Sequence, residues 1–130
     1  MIKKDDFMVL LADDDPDDRD LFSSIIKKIS QDITIQQVEN GTKLMKFLQN
    51  TDHLPDILFL DLNMPNMDGF ECLHLIKTDD NFKEIPVVIF TTSDYFKDVE
   101  KTYKSGGDFY IQKPNSYKDL FQIFKEQLLV

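Results

Sequence analysis

Four positions in this sequence join reactive side chains to the ends of apolar runs. Asp13 and Asp14 follow Phe7-Met-Val-Leu-Leu-Ala12, and Asp61 follows Ile57-Leu-Phe-Leu60. Thr91 follows Pro86-Val-Val-Ile-Phe90, and Lys113-Pro114 closes the short run Phe109-Tyr-Ile111. Asp61 is the most telling, because an ionisable group straight after four apolar residues is costly to bury without compensation. Carboxylates gathered at one place repel, and they persist together when a cation neutralises them or some pKa values rise. Hard oxygen donors, few in number and accompanied by one Lys, suit Mg²⁺, which keeps several waters and binds one or two carboxylates plus phosphate oxygens. Such a set is equipped for phosphoryl chemistry. A carboxylate attacks phosphorus, metal and ammonium stabilise the equatorial oxygens, and a hydroxyl adds a hydrogen bond.

That chemistry requires the four positions to meet, so the elements carrying them matter. Phe7–Ala12 and Ile57–Leu60 are continuous apolar runs, the pattern of strands buried on both faces of a parallel sheet. Asp15-Pro16 supplies an N-cap and a first-position proline for a helix whose Leu21, Phe22, Ile25, Ile26 and Ile29 recur at helical spacing. Ile33–Val38 alternates as a weaker second strand, and Asn40-Gly41 opens a helix with Leu44, Phe47 and Leu48 on one side. A third helix is predicted from near Phe70 to Thr78, and Pro86–Phe90 is the fourth strand. Phe96, Val99 and Tyr103 predict the thin apolar face of a fourth helix, stopped by Gly106-Gly107. After the fifth strand at Phe109–Ile111, a last helix is lined by Tyr117, Leu120, Phe121, Phe124 and Leu128. Strands alternating with helices imply right-handed crossovers and a doubly wound parallel α/β sheet. In that architecture the site lies beyond the carboxyl ends of the strands, where the strand order reverses. All four reactive positions are strand carboxyl ends.

Taken singly, the same residues have plainer readings. Asp15, Asp17 and Asp18 read as cap and first-turn residues facing a helix dipole. Asp13 and Asp14 alone are ambiguous, Thr91 alone is a strand former, and Lys113 alone is a surface lysine. Asp68-Gly69 is a turn. His53 and His74 read as loop and helix-surface residues, and Cys72 as a small packed side chain.

Composition narrows the partners. The 130 residues predict one domain over 1–130, with a core at about 7–129. The net charge is −9, with 24 acids against 15 Lys plus Arg, and 19 of the 24 acids are Asp. Residues 1–20 alone hold eight Asp against Lys3, Lys4 and Arg19. Clustered Lys and Arg are what phosphate neutralisation needs, so neither nucleic acid nor an anionic membrane is an expected partner. One cysteine and two histidines cannot build an internal disulfide or the usual zinc set. No apolar run exceeds six residues and no secretory pattern is present, so the cytoplasm is the expected location.

The four motifs, read together, resemble the receiver domain of bacterial two-component response regulators. They are Leu-Leu-Ala-Asp13-Asp14-Asp-Pro, Phe-Leu-Asp61-Leu-Asn-Met-Pro-Asn-Met-Asp-Gly69, Val-Ile-Phe-Thr91-Thr-Ser and Tyr110-Ile-Gln-Lys113-Pro114, in the family's order. The resemblance implies a flavodoxin-like (βα)5 fold with strand order 2-1-3-4-5. By the same resemblance, Asp61 accepts a phosphoryl group from the phosphohistidine of a sensor histidine kinase or a histidine phosphotransfer protein. Asp14, Asp61 and the backbone carbonyl of Asn63 would bind Mg²⁺, with Asp13 acting through water. Thr91 would bond a phosphoryl oxygen, Lys113 would pair with the phosphoaspartate, and Thr91 with Tyr110 would form the switch. The family also implies a cis Lys113–Pro114 peptide.

With no output module in these residues, the expectation is a stand-alone receiver. It would be a phosphoacceptor rather than a turnover enzyme, engaging an unidentified downstream protein through its helix 4, strand 5 and helix 5 face. A phosphorylation-dependent homodimer is one assembly this allows. Two departures stand out: Gly106-Gly107 replaces a common Gly-Ala, and Thr92 fills a place usually held by a smaller residue, narrowing access to the acyl phosphate. The alternative is a haloacid-dehalogenase-like phosphohydrolase with an Asp nucleophile. It requires a second Asp two residues later, where this chain has Asn63. A flavin or nucleotide module would need a Gly-rich loop after strand 1, where Asp-Asp-Asp-Pro-Asp-Asp stands instead.

Overall fold

Strand and helix alternate from the first described residue to the last. The structure is a computed structural model that describes residues 7–127; Leu128 of the predicted last helix and the end of the expected 7–129 core lie outside them. The elements are β1 (Met8–Ala12), α1 (Pro16–Ile29), β2 (Thr34–Val38), α2 (Gly41–Asn50), β3 (Ile57–Leu60), α3 (Gly69–Thr78), β4 (Val87–Thr91), α4 (Phe96–Lys104), β5 (Phe109–Gln112) and α5 (Tyr117–Gln127). All strand pairs are parallel and the order is β2-β1-β3-β4-β5, as the resemblance implies. No helix among the described residues is long and apolar enough to cross a membrane.

The continuous apolar runs are explained by two covered faces. Leu10, Leu58, Leu60, Val87 and Ile89 point into a cluster with Leu44, Leu48, Cys72, Leu73 and Ile76 of α2 and α3. Their neighbours Val9, Leu11, Phe59, Val88 and Phe90 point the other way, onto Phe22, Ile25 and Ile26 of α1 and Leu120 and Phe124 of α5. Strand alternation therefore feeds both layers with apolar side chains. β2 lies at one sheet edge, where only one neighbour covers it, and its polar alternation follows from that.

The fourth helix departs from its predicted face. Phe96 and Tyr103 are 64% and 50% exposed, and the one residue α4 buries is Thr102. The reason lies in Gly107, where a Cβ would come within 2.6 Å of the Thr102 methyl. The glycine leaves a seat that the methyl fills, and the Thr102 hydroxyl donates to Asp98 O at 2.9 Å. This also accounts for Gly106-Gly107 in place of Gly-Ala: Gly106 turns the chain at φ 95° and Gly107 receives α4.

Candidate functional site

Sheet register brings the reactive positions to one rim. Ala12 is paired with Leu60, so Asp13 and Asp61 leave adjacent strands at the same level. The Asp61 N–H donates to Ala12 O at 3.0 Å, and the Asp13 N–H donates to Val38 O at 3.1 Å. On the other side, Thr91 pairs with Gln112, and the Lys113 N–H donates to Thr91 O at 2.7 Å.

Local structure then aims the side chains. Asp15 caps α1 by accepting from the N–H groups of Asp17 and Asp18, as the Asp-Pro signal predicts. After β3, the chain must turn back tightly into α3. Asn66 takes φ 71°, an αL conformation that Asn tolerates, and Asp68 with Glu71 forms a capping box. At Gly69 an added Cβ would lie 2.3 Å from Asp61 O, so only glycine lets α3 start against the backbone that carries Asp61.

Among the described residues, Lys113 is the cation that reaches the clustered carboxylates, and the Arg19 guanidinium donates to Asp13 O at 2.8 Å. Oxygens of Asp13, Asp14 and Asp61 lie within 4.8 Å of one another, with Asp13 and Asp61 buried and Asp14 exposed. Lys113 Nζ reaches Asp13 Oδ2 at 2.7 Å, Asp18 Oδ2 at 2.8 Å and Asp61 Oδ2 at 3.3 Å. Asp13 Oδ1 accepts the Asp15 N–H at 3.0 Å, while the Asn63 N–H approaches Asp61 Oδ1 at 3.4 Å. Burial pushes the Asp13 carboxyl above its ordinary value, against hydrogen bonds from Lys113 and the Asp15 N–H. For Lys113, burial works to lower the pKa, but hydrogen bonds to Asp13 and Asp18 and the charge of Asp61 outweigh it and raise the value. The ammonium stays charged, and the donor set is oxygen-rich with negative charge to spare. Those properties fit a hard divalent cation.

Thr91 and Tyr110 stand beside this cluster and are not bonded into it. Thr91 is fully buried, and its Oγ1 accepts the Ser93 N–H at a long 3.5 Å. The Tyr110 hydroxyl donates to Ser93 O at 2.7 Å. No peptide among the described residues is cis, so the Lys113–Pro114 bond is trans, unlike the family expectation. His53 and His74 are exposed and away from the site. Cys72 is buried, and desolvation, then the charges of Asp68 and Glu71, pushes its thiol up to about 12.

Two participants escaped the sequence reading. The sequence gives Asp18 only a helix-dipole role, yet its carboxylate also grips Lys113. Its signal was available in the spacing: a helix capped at Asp15 puts its third residue over the end of β1. Ser93 joins Thr91, Tyr110 and α4, since its hydroxyl donates to Asp98 Oδ2 at 2.7 Å and accepts the Tyr95 N–H at 3.2 Å. A lone serine in a loop carries no such signal.

Comparison with known proteins decides the family. The response regulator receiver domain family matches residues 9–125. The chain belongs to the response regulator receiver family. Response regulator Rcp1 from Synechocystis sp. is 34% identical over 121 residues, a match spanning 89% of this chain and 82% of Rcp1. The crystal structure of the Mn²⁺-bound form of Rcp1 superposes with a TM-score of 0.86 at 32% identity, covering 95% of this chain and 96% of that one. The phosphorylated cyanobacterial phytochrome response regulator RcpA gives a TM-score of 0.86 at 31% identity over 92% of this chain and 89% of its own. The protein is thus a phosphoacceptor signalling receiver of the two-component type. Receivers take their phosphoryl group from histidine kinases and hold a divalent cation at an acidic pocket, and the aspartates here provide such a pocket. The phosphohydrolase alternative finds no support in these likenesses, and position 63 offers an amide in place of an acid.

Proposed function

We propose that Asp61 is the phosphoacceptor of this receiver. The observation that carries this reading is its placement: a buried carboxylate at the end of β3, grouped with Asp13 and Asp14 and 3.3 Å from Lys113 Nζ. An Asp61 oxygen bonds to phosphorus as the phosphorus–nitrogen bond of a phosphohistidine breaks. The leaving imidazole keeps the bonding pair and takes a proton from water. Mg²⁺ is the proposed cation, and when bound it neutralises charge on the transferring oxygens. Asp14, Asp61 and the Asn63 carbonyl would hold it, with Asp13 acting through water. That indirect role suits Asp13, because both its oxygens already have partners.

Lys113 supplies a positive charge to pair with the phosphoryl group, and the Thr91 hydroxyl donates to a phosphoryl oxygen. Drawing Thr91 inward disturbs its weak contact with Ser93, and Ser93 is also the partner of Tyr110. The phosphoryl group thereby biases the 91–93 segment and Tyr110 between two arrangements, the proposed switch. Output passes through the face formed by α4, β5 and α5, where Tyr95, Phe96, Tyr103 and Phe109 are at least half exposed. A sensor histidine kinase or histidine phosphotransfer protein is the donor. The receiver assists its own phosphorylation and dephosphorylation in the cytoplasm and turns over no small substrate. It binds a downstream protein, or a second phosphorylated copy, rather than DNA.

Intact-mass spectrometry after incubation with a small acyl phosphate tests this. The native chain gains one phosphoryl group when Mg²⁺ is present and none without it, and Asp61→Asn gains none. A gain that survives Asp61→Asn unchanged overturns the assignment.

A further inference from the structure

We propose that Asp18 is a positioning residue that holds Lys113 on the α1 side of the site and limits its reach toward the modified Asp61. This inference rests on the phosphoacceptor reading of Asp61. An ammonium has three donors, and Lys113 commits them to Asp13, Asp18 and Asp61. The first two contacts, at 2.7 and 2.8 Å, have the length of charge-assisted bonds, while the third is slack at 3.3 Å. A close contact with phosphoryl oxygens on Asp61 therefore draws the ammonium away from α1.

The two partners it would leave differ in what their release costs. Asp13 is fully buried, and without Lys113 its Oδ2 would lose a 2.7 Å charge-assisted bond where bulk water does not reach. The Asp18 side chain is 35% exposed, so water can replace the ammonium there. Asp18 is the partner that lets go, and its grip opposes the phosphorylated arrangement by the worth of a partly exposed ion pair. The acid also stands in the first turn of α1, where the helix dipole alone would explain it. A dipole role stabilises α1 but leaves Lys113 and the affinity of Asp61 for a phosphoryl group unaffected.

The test uses beryllofluoride with Mg²⁺ as a phosphoryl mimic, titrated by calorimetry into the native chain, Asp18→Asn, Asp18→Glu, Asp17→Asn and Asp61→Asn. The Asp17 side chain is exposed in the same helical turn, so its substitution reproduces the charge change without touching Lys113. Asp18→Asn binds about two- to five-fold more tightly than the native chain, as expected for losing a partly exposed ion pair. Asp17→Asn and Asp18→Glu bind like the native chain. In the unliganded protein, the ¹⁵N resonance of Lys113 Nζ shifts in Asp18→Asn and stays in place in Asp17→Asn. Affinity in Asp18→Asn at or below the native value, or an equal gain in Asp17→Asn, overturns the proposal. Failure of the native chain to bind, or binding that persists in Asp61→Asn, instead overturns the phosphoacceptor reading. The Nζ resonance then still decides whether Asp18 holds Lys113.

Discussion

Between α1 and α5, Phe22, Phe59, Phe90 and Phe124 lie buried with ring centroids 4.9 to 6.1 Å apart, whereas α4 on the opposite face buries Thr102 alone. Four aromatic rings in edge and tilted contact form a layer that resists displacement. α4 is attached by smaller devices: the Thr102 methyl over Gly107, the Ser93–Asp98 hydrogen bond, and the Lys101 ammonium 4.4 Å from the Phe70 ring centroid. The site straddles this contrast. Asp13, Asp18 and Lys113 sit on the aromatic side, with Lys113 Nζ 5.4 Å from the Phe90 ring centroid, while Thr91, Ser93 and Tyr110 lead toward α4. A phosphoryl group on Asp61 would thus be anchored by the firm layer and read by the loose one. Elements that move in signalling come from the low-stability end of a fold, and few buried apolar contacts mark that end.

The largest effect should come from breaking the firm layer. Phe59→Ala is expected to cost about 3–5 kcal/mol by urea unfolding. Phe96→Ala, at an exposed position, should stay within about 0.5 kcal/mol. Comparable losses would erase the contrast. Next, Gly107→Ala should cost about 1–3 kcal/mol, because its new methyl meets both the side chain and the carbonyl of Thr102. Adding Thr102→Ser to Gly107→Ala removes the opposing methyl and should recover part of that loss. Smaller still, Tyr110→Phe deletes the bond to Ser93 O and should cost about 0.5–1.5 kcal/mol. Amides of residues 93–98 should then exchange faster, with α1 unchanged.

The firm layer was the more legible in the sequence. Continuous runs such as Ile57–Leu60 and the helical spacing of Leu21, Phe22, Ile25 and Ile26 announce burial on both sides, and the Asp-Pro cap marks where α1 starts. The carboxylates and Lys113 were legible as well, because strand ends share one rim in a parallel sheet. The loose layer was not. Apolar spacing in α4 pointed to Phe96 and Tyr103, but tertiary fit around Gly107 selected a threonine. Asp18 was obscured because an acid in a first helical turn already has a sufficient local reason to be there. Ser93 was hidden because its links to Thr91 and Tyr110 run through its own backbone N–H and C=O, which any residue carries.

Hydrogen exchange measured with and without a small acyl phosphate, in the presence of Mg²⁺, tests most directly that Asp61 receives the phosphoryl group and that the α4 side reads it. In the native chain, exchange should change across residues 91–104 and β5 while α1 and α5 hold steady, and Asp61→Asn should show no change anywhere. Changes of similar size in α1 and α5, or a response that persists in Asp61→Asn, would contradict the account.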